Sequence, residues 1–260
     1  MPLTLTSERE KYNHLLDWLG RHDQVAVAFS GGVDSTLLLK AATEVHGVTV
    51  TAFFARSLLQ KAAVEERVGG QCRRFGVALR IVDCEPLSWP DFVRNGPDRC
   101  YLCKKRVYSR FLSLLPETSV LLDGTNVDDL SRDRPGLRAI KELGVRMPLV
   151  EAGLVKDEIR RISREMSLTS WDLPSESCLA TRIVGGVALT PEILRAVEEA
   201  EAFLGEKGFR GCRVRLDGKT AFVTVSQGDR SRLAQSPLRH DFLKILAKLK
   251  YAKVFLDLSE

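Results

Sequence analysis

Ser30-Gly31-Gly32-Val33-Asp34-Ser35 follows the apolar run Val25-Ala26-Val27-Ala28-Phe29 and leads into Thr36-Leu37-Leu38-Leu39-Lys40. The run reads as a buried strand, the paired glycines as a turn that lets backbone approach closely, and the segment after them as a helix. Backbone N–H groups at the amino end of a helix point at a ready-made anion site. This stretch therefore commits the chain to a strand, turn and helix of an α/β fold, and to a phosphate-bearing ligand. The Gly-Lys-Ser/Thr ending of the usual phosphate loop is absent.

The rest of the pattern extends that beginning. An amphipathic helix over 8–20 precedes the first strand, and a helix over Asp34–Val45 follows it. Strands are then expected at Val48–Phe54, Ala78–Val82 and Val120–Leu122, separated by helices over 58–74 and Cys100–Leu115. Strands alternating with helices imply a doubly wound, mostly parallel sheet, with ligands beyond the carboxyl ends of its strands. Two long stretches, 84–99 and 124–150, open on that same edge and read as functional loops. A helix over Val155–Met166 and a loop from Trp171 to Gly186 come next.

Beyond Gly185-Gly186 the pattern changes. Thr190-Pro191-Glu192 starts a helix, Cys212–Leu216 and Ala221–Val225 form a hairpin around Asp217-Gly218, and a helix over 238–249 and a strand over 251–257 finish the chain. The expected division is a first domain over 1–186 and a smaller α+β domain over 187–260, serving substrate binding or oligomerisation.

With 44% hydrophobic residues the 260-residue chain can bury a sizeable core, which excludes a disordered protein. No stretch approaches the ~20 apolar residues of a membrane span, and the first residues lack the pattern of a secretory signal. A cytoplasmic protein with no membrane partner is expected. The net charge of +5 is spread among acids, which suits anionic small molecules as well as nucleic acid; it is the lack of a basic stripe with interleaved aromatics that argues against a nucleic-acid partner. Six cysteines in such a chain argue for burial, metal binding or catalysis rather than a disulfide framework. Cys72, Cys84 and Cys212 read as structural.

Three segments carry the remaining chemistry. Leu121-Leu122-Asp123-Gly124-Thr125-Asn126-Val127-Asp128-Asp129 ends a strand in a turn loaded with carboxylates, which need a cation or Arg132 and Arg134 nearby. Cys100-Tyr101-Leu102-Cys103 puts two thiols three apart at a helix start, where both can face one metal centre. Cys178, in Pro174-Ser175-Glu176-Ser177-Cys178-Leu179-Ala180-Thr181-Arg182-Ile183, is surrounded by small polar residues and a cation, a setting for a reactive thiolate. Arg213 and Arg215 lie two apart on a strand and share a face. The four histidines are scattered and suggest no general-base chemistry.

SGGVDS resembles the signature of the PP-loop ATP pyrophosphatases, which split ATP into AMP and pyrophosphate to adenylate a substrate. That resemblance implies that Ser30, Gly31, Gly32 and Ser35 cradle pyrophosphate, that Asp34 and Asp128 hold Mg2+, and that Thr125 and Asn126 contact the nucleotide. SGGVDS, LDGTNVDD, DRPGLRAIKELGVRMPL, RCYLCK and WDLPSESCLATRI, spanning most of residues 25–183, together resemble the LarE family of ATP-dependent sulfur transferases. Members of that family adenylate a carboxylate of pyridinium-3,5-biscarboxylic acid mononucleotide and convert it to a thiocarboxylate. They act in nickel-pincer nucleotide biosynthesis, for lactate racemase maturation.

The family delivers sulfur in two ways: from a single sacrificed cysteine, or through a [4Fe-4S] cluster on three cysteines. Here the resemblance implies Cys100, Cys103 and Cys178 as cluster ligands, or Cys178 as the catalytic donor. It further implies that Thr181, Arg182, Arg213, Arg215 and Glu201 bind the substrate nucleotide, and that the chain can form a homo-oligomer. Two alternatives stay open on the residues: a PP-loop tRNA thiolase and an ammonia-using amide synthetase of the NAD synthetase kind.

Overall fold

The computed structural model describes residues 3–131 and 135–258. The chain divides into two compact units: Met1–Arg56, Ala62–Cys84 and Asp98–Leu173 form the first, and Ser57–Lys61, Glu85–Pro97 and Pro174–Glu260 the second. Residue 186, where the sequence pattern changes, lies inside the second unit, which also draws in two short segments from earlier in the chain.

The first unit is built on a four-stranded sheet of β1 (Gln24–Ala28), β2 (Thr49–Arg56), β3 (Ala78–Asp83) and β4 (Val120–Asp123), ordered β3-β2-β1-β4. Every pairing is parallel. This is the expected doubly wound α/β fold. The order reverses at β1, so the Gly31-Gly32 turn leaves the sheet at its switch point, where parallel sheets open a crevice. Arg146 extends the β4 edge: Asp123 N–H donates to its carbonyl at 2.8 Å, and its own N–H donates to Leu121 at 3.0 Å.

The helices are α1 (Leu3–Leu19), α2 (Val33–Glu44), α3 (Ala63–Phe75) and, after a short α4 (Pro90–Val93) that belongs to the second unit, α5 (Arg99–Leu112). Then come α6 (Val127–Leu130), α7 (Pro135–Glu142), α8 (Pro148–Glu151) and α9 (Lys156–Glu165). Leu15, Leu19, Leu37, Leu38, Val68, Ile159 and Ile162 pack from α1, α2, α3 and α9 against Val25, Val27 and Leu122 of the sheet in one buried cluster. Phe111 of α5 packs against Phe53 of β2, with ring centroids 5.3 Å apart and the rings tilted by 57°. The stretch expected as a loop over 124–150 holds three short helices. Each begins beside a helix-starting residue the periodicity argument passed over: Asn126 as cap of α6, and prolines at the starts of α7 and α8. The helix expected from 58 starts at Ala63.

In the second unit α10 (Pro191–Glu206) starts as expected, with the Thr190 hydroxyl accepting the Ile193 N–H at 3.3 Å. β5 (Arg213–Asp217) and β6 (Thr220–Thr224) form the expected antiparallel hairpin. After α11 (Arg230–Ala234) and α12 (Leu238–Lys248), β7 (Lys253–Leu256) adds to β6 in parallel. Asn95, buried with φ +55°, donates to the carbonyls of Val184 and Val187 at 2.9 Å each and accepts the Gly186 N–H at 3.1 Å. That stitching explains why residues 85–97 belong to this unit. Among the described residues, no helix is long and apolar enough to cross a membrane.

Candidate functional site

Gly31 has φ +70°, and a Cβ there would lie 2.9 Å from Val68 Cγ2, so both conformation and space require glycine. Gly32 caps α2 with extended backbone and has no side chain to close the helix end. Around it the hydroxyls of Ser30 and Ser35 lie 3.1 Å apart, and the Ser30 and Gly32 N–H groups donate to Ser35 and Ser30 Oγ at 3.3 and 3.4 Å. The second turn presses against the first: a Cβ on Gly124 would sit 3.0 Å from the Ser35 nitrogen.

Asp34 lies inside α2, not at its cap. Its carboxylate accepts the Asn126 amide at 3.2 Å and the Lys156 ammonium at 2.5 Å. Asp128 accepts the Lys156 backbone N–H at 2.8 Å. Asn126 closes a capping box with Asp129 over α6. Ser30, Gly31, Gly32, Asp34, Ser35, Thr125, Asn126 and Asp128 are thus brought together around the ends of β1 and β4. Arg132 and Arg134, expected to balance these carboxylates, lie outside the described residues. Lys156, at the first position of α9, supplies a cation instead. Nothing local in Leu154-Val155-Lys156 announces this, because the Asp34 carboxylate it meets is more than a hundred residues away.

Asp123 was also passed over. It is buried at the end of β4 and accepts the Thr125 N–H at 2.8 Å, the Thr125 hydroxyl, Lys104 Nζ at 3.0 Å and the Tyr108 hydroxyl. Burial alone would raise its pKa; the Lys104 charge and these hydrogen bonds outweigh it and hold the carboxyl below the usual range. The same burial drives the Tyr108 phenol well above its ordinary value.

All six cysteines are free. Cys72, Cys84 and Cys212 are buried, and Cys100, Cys103 and Cys178 are half-buried. Burial pushes the Cys72 and Cys212 thiols up to about 11 and raises Cys84, as suits inert core thiols. Cys100 and Cys103 occupy the first turns of α5 in the first unit. Arg138 of α7 covers the Tyr101 ring at 3.9 Å and pairs with Asp98 at 3.1 Å, bracing that helix start. Among the described residues, no group of three or more His, Cys, Asp or Glu side chains is placed to hold a metal ion.

In the second unit Cys178 caps the 3-10 turn Leu179–Arg182, its carbonyl accepting the Thr181 N–H and hydroxyl at 2.9 and 2.7 Å. Arg182 donates to the hydroxyls on either side of Cys178, at Thr181 (2.9 Å) and Ser177, and pairs with Glu201 at 2.7 Å. Glu201 is 2% exposed and also meets Lys61 at 2.8 Å and the Val214 N–H at 3.1 Å. Burial opposes its charge, but Arg182 and Lys61 keep its pKa low. Arg213 and Arg215 do share one strand face, opposite buried Val214 and Leu216. Burial lowers the Arg213 pKa, and the charges of Arg182 and Arg215 lower it further. Arg182 and Lys61 thus share the Glu201 carboxylate, while Arg213 lies close enough to feel the charges of Arg182, Arg215 and Glu201.

This is a doubly wound α/β protein with a glycine turn at the helix start on its switch point and a second unit carrying a half-buried thiol. No family model matches it. The pyridinium-3,5-bisthiocarboxylic acid mononucleotide synthase of Lactiplantibacillus plantarum is 33% identical over 207 residues, 78% of this chain and 75% of that protein. An uncharacterized Synechocystis protein is 32% identical over 96% of this chain and 94% of its own length. An uncharacterized protein of Methanocaldococcus jannaschii is 29% identical over 92% and 91%. The chain belongs to the LarE family, that of the pyridinium-3,5-bisthiocarboxylic acid mononucleotide synthase.

Proposed function

We propose that this protein is an ATP-dependent sulfur transferase that converts a carboxylate of pyridinium-3,5-biscarboxylic acid mononucleotide to a thiocarboxylate. The reading is carried by the relative's bisthiocarboxylate product, which needs a sulfur donor, together with the half-buried free thiols of Cys100, Cys103 and Cys178. A carboxylate is a poor electrophile until its oxygen belongs to a leaving group. One carboxylate oxygen attacks the α-phosphorus of ATP, the bond to the β-phosphate oxygen breaks, and pyrophosphate leaves. Sulfur then attacks the acyl carbon and AMP departs with the former carboxylate oxygen.

In this reading Ser30, Gly31, Gly32 and Ser35 take the pyrophosphate, Thr125 and Asn126 the nucleotide, and Asp34 and Asp128 Mg2+. Thr181, Arg182, Arg213 and Arg215 take the substrate phosphate, with Glu201 holding Arg182 in place. Accessible thiols are the right donors for iron, and Cys100, Cys103 and Cys178 would be the ligands of a [4Fe-4S] cluster. Such a cluster would supply a replaceable sulfide. Without it, the Cys178 thiolate itself displaces AMP to form a thioester, and loss of the Cα proton to a base with cleavage of the Cβ–S bond frees the thiocarboxylate and leaves dehydroalanine. The small second unit would carry substrate binding and any homo-oligomer contact, and the protein would work in the cytoplasm.

The test is anaerobic purification with iron, acid-labile sulfide and visible spectra, beside Cys103→Ala, followed by incubation with Mg·ATP and the pyridinium substrate. Release of AMP and pyrophosphate with a thiocarboxylate product is expected. About four irons per chain, lost in the variant, assign the cluster route. Iron-free protein whose intact mass falls by one hydrogen sulfide, lost from Cys178, assigns the sacrificial one. An amide product with ammonia, or sulfur appearing in tRNA, would replace the proposal.

A further inference from the structure

Asp123 is 5% exposed, and its two oxygens serve different parts of the first unit. Oδ1 accepts the Thr125 N–H at 2.8 Å and the Thr125 hydroxyl, fixing the turn that passes through Gly124 against the start of α2. Oδ2 accepts Lys104 Nζ at 3.0 Å and the Tyr108 hydroxyl, both from α5. Lys104 directly follows Cys103, and its chain packs against Gly136 of α7, where a Cβ would lie 3.3 Å from Lys104 Cδ. A carboxylate buried this far is costly unless each oxygen is paired. Neither adenylation nor sulfur transfer as described uses it, yet four donors from two functional segments converge on it.

We infer that Asp123 is a positioning residue that locks the Gly124-Thr125-Asn126 turn to the cysteine-bearing start of α5, so that filling the turn orders α5. This rests on the nucleotide reading of the turn given above. The two halves of the link can be cut separately. In Asp123→Asn the one remaining acceptor oxygen can stay on Thr125, while the amide nitrogen faces the Lys104 ammonium, donor against donor. Lys104→Met removes the charged half of that link from the α5 side and leaves the Tyr108 hydroxyl on Oδ2, and circular dichroism checks that the variant stays folded.

Hydrogen exchange read by mass spectrometry on the full chain, with and without Mg·ATP, tests the link. In the native protein Mg·ATP should slow exchange about tenfold in peptides over 121–131 and over 99–112. In both variants the slowing should persist over 121–131 and be at least about threefold smaller over 99–112 than in the native protein. Without ligand, Lys104→Met should speed exchange over 121–131 by about threefold or more, and Lys141→Met on exposed α7 should not. Equal slowing over 99–112 in native protein and variants, or ligand-free exchange over 121–131 unmoved by Lys104→Met, overturns the inference. Absence of any slowing over 24–40 in the native protein would instead overturn the nucleotide reading, and the ligand-free comparison then decides the role of Asp123 by itself.

Discussion

Replacing Glu201 by glutamine changes one oxygen to an amide nitrogen and leaves the shape intact. In the native second unit that side chain accepts from Arg182 at 2.7 Å and the Val214 N–H at 3.1 Å and forms an ion pair with Lys61 at 2.8 Å, with no solvent exposure. Glutamine can keep one oxygen on Val214 and Arg182 but must turn its amide nitrogen toward Lys61. Removing one partner of a buried ion pair leaves a guanidinium without its counter-charge, and costs about 3 kcal/mol or more. With a urea dependence of about 1–3 kcal/mol per molar, the unfolding midpoint should fall by about 1–3 M. The transition can be followed by fluorescence of Trp89, which lies in this unit.

The pH dependence has a definite sign. Because the folded pKa of Glu201 is depressed, its stabilisation is fully present above the ordinary glutamate value of 4.5 and is lost as pH falls through the lower folded value. The gap between native protein and Glu201→Gln should therefore hold steady from pH 7 to about 5 and shrink in stronger acid. A gap below about 1 kcal/mol at pH 7, or one that widens in acid, would refute the account of this network as a depressed, doubly paired carboxylate.

Two other outcomes are expected. Gly124→Ala would drive a Cβ to within 3.0 Å of backbone in α2, so the two turns must separate; overpacking of this kind costs about 1–3 kcal/mol, and ATP affinity by calorimetry should drop by tenfold or more. Unchanged affinity would show that the paired turns do not form the nucleotide site. In metal-stripped, reduced protein at pH 8, iodoacetamide should label Cys100, Cys103 and Cys178 at least about tenfold faster than Cys72 and Cys212, whose thiols burial holds mostly protonated. Peptide mapping that finds Cys72 or Cys212 among the fast group would contradict the division into core and accessible cysteines.

The elements that were legible in advance are those set by local pattern. The run Val25–Phe29, the paired glycines and the apolar periodicity of α2 identify the strand, turn and helix, because period and turn chemistry act within a few residues. Alternation placed Arg213 and Arg215 on one face for the same reason. The sequence does not distinguish the three short helices over 127–151 from loop, since each holds eight residues or fewer and offers no helical period to detect. The segments 57–61 and 85–97 carry nothing in composition that assigns them to the second unit; the buried Asn95 amide, bonding across about ninety residues, does so for the longer of the two.

The sequence by itself determined the parallel α/β class, the glycine turn, the cysteines that could carry chemistry and the family. These depend on short-range pattern and on residue identity, both of which are written along the chain. Only the tertiary structure decided which charges meet. Lys156 against Asp34, Lys104 and Tyr108 on Asp123, and Lys61 beside Arg182 on Glu201 each join residues well apart in the chain. A charged side chain can be satisfied by solvent or by any opposite charge, so its local sequence does not name its partner. Burial does, because a carboxylate withdrawn from water persists only where the fold brings its donors to it.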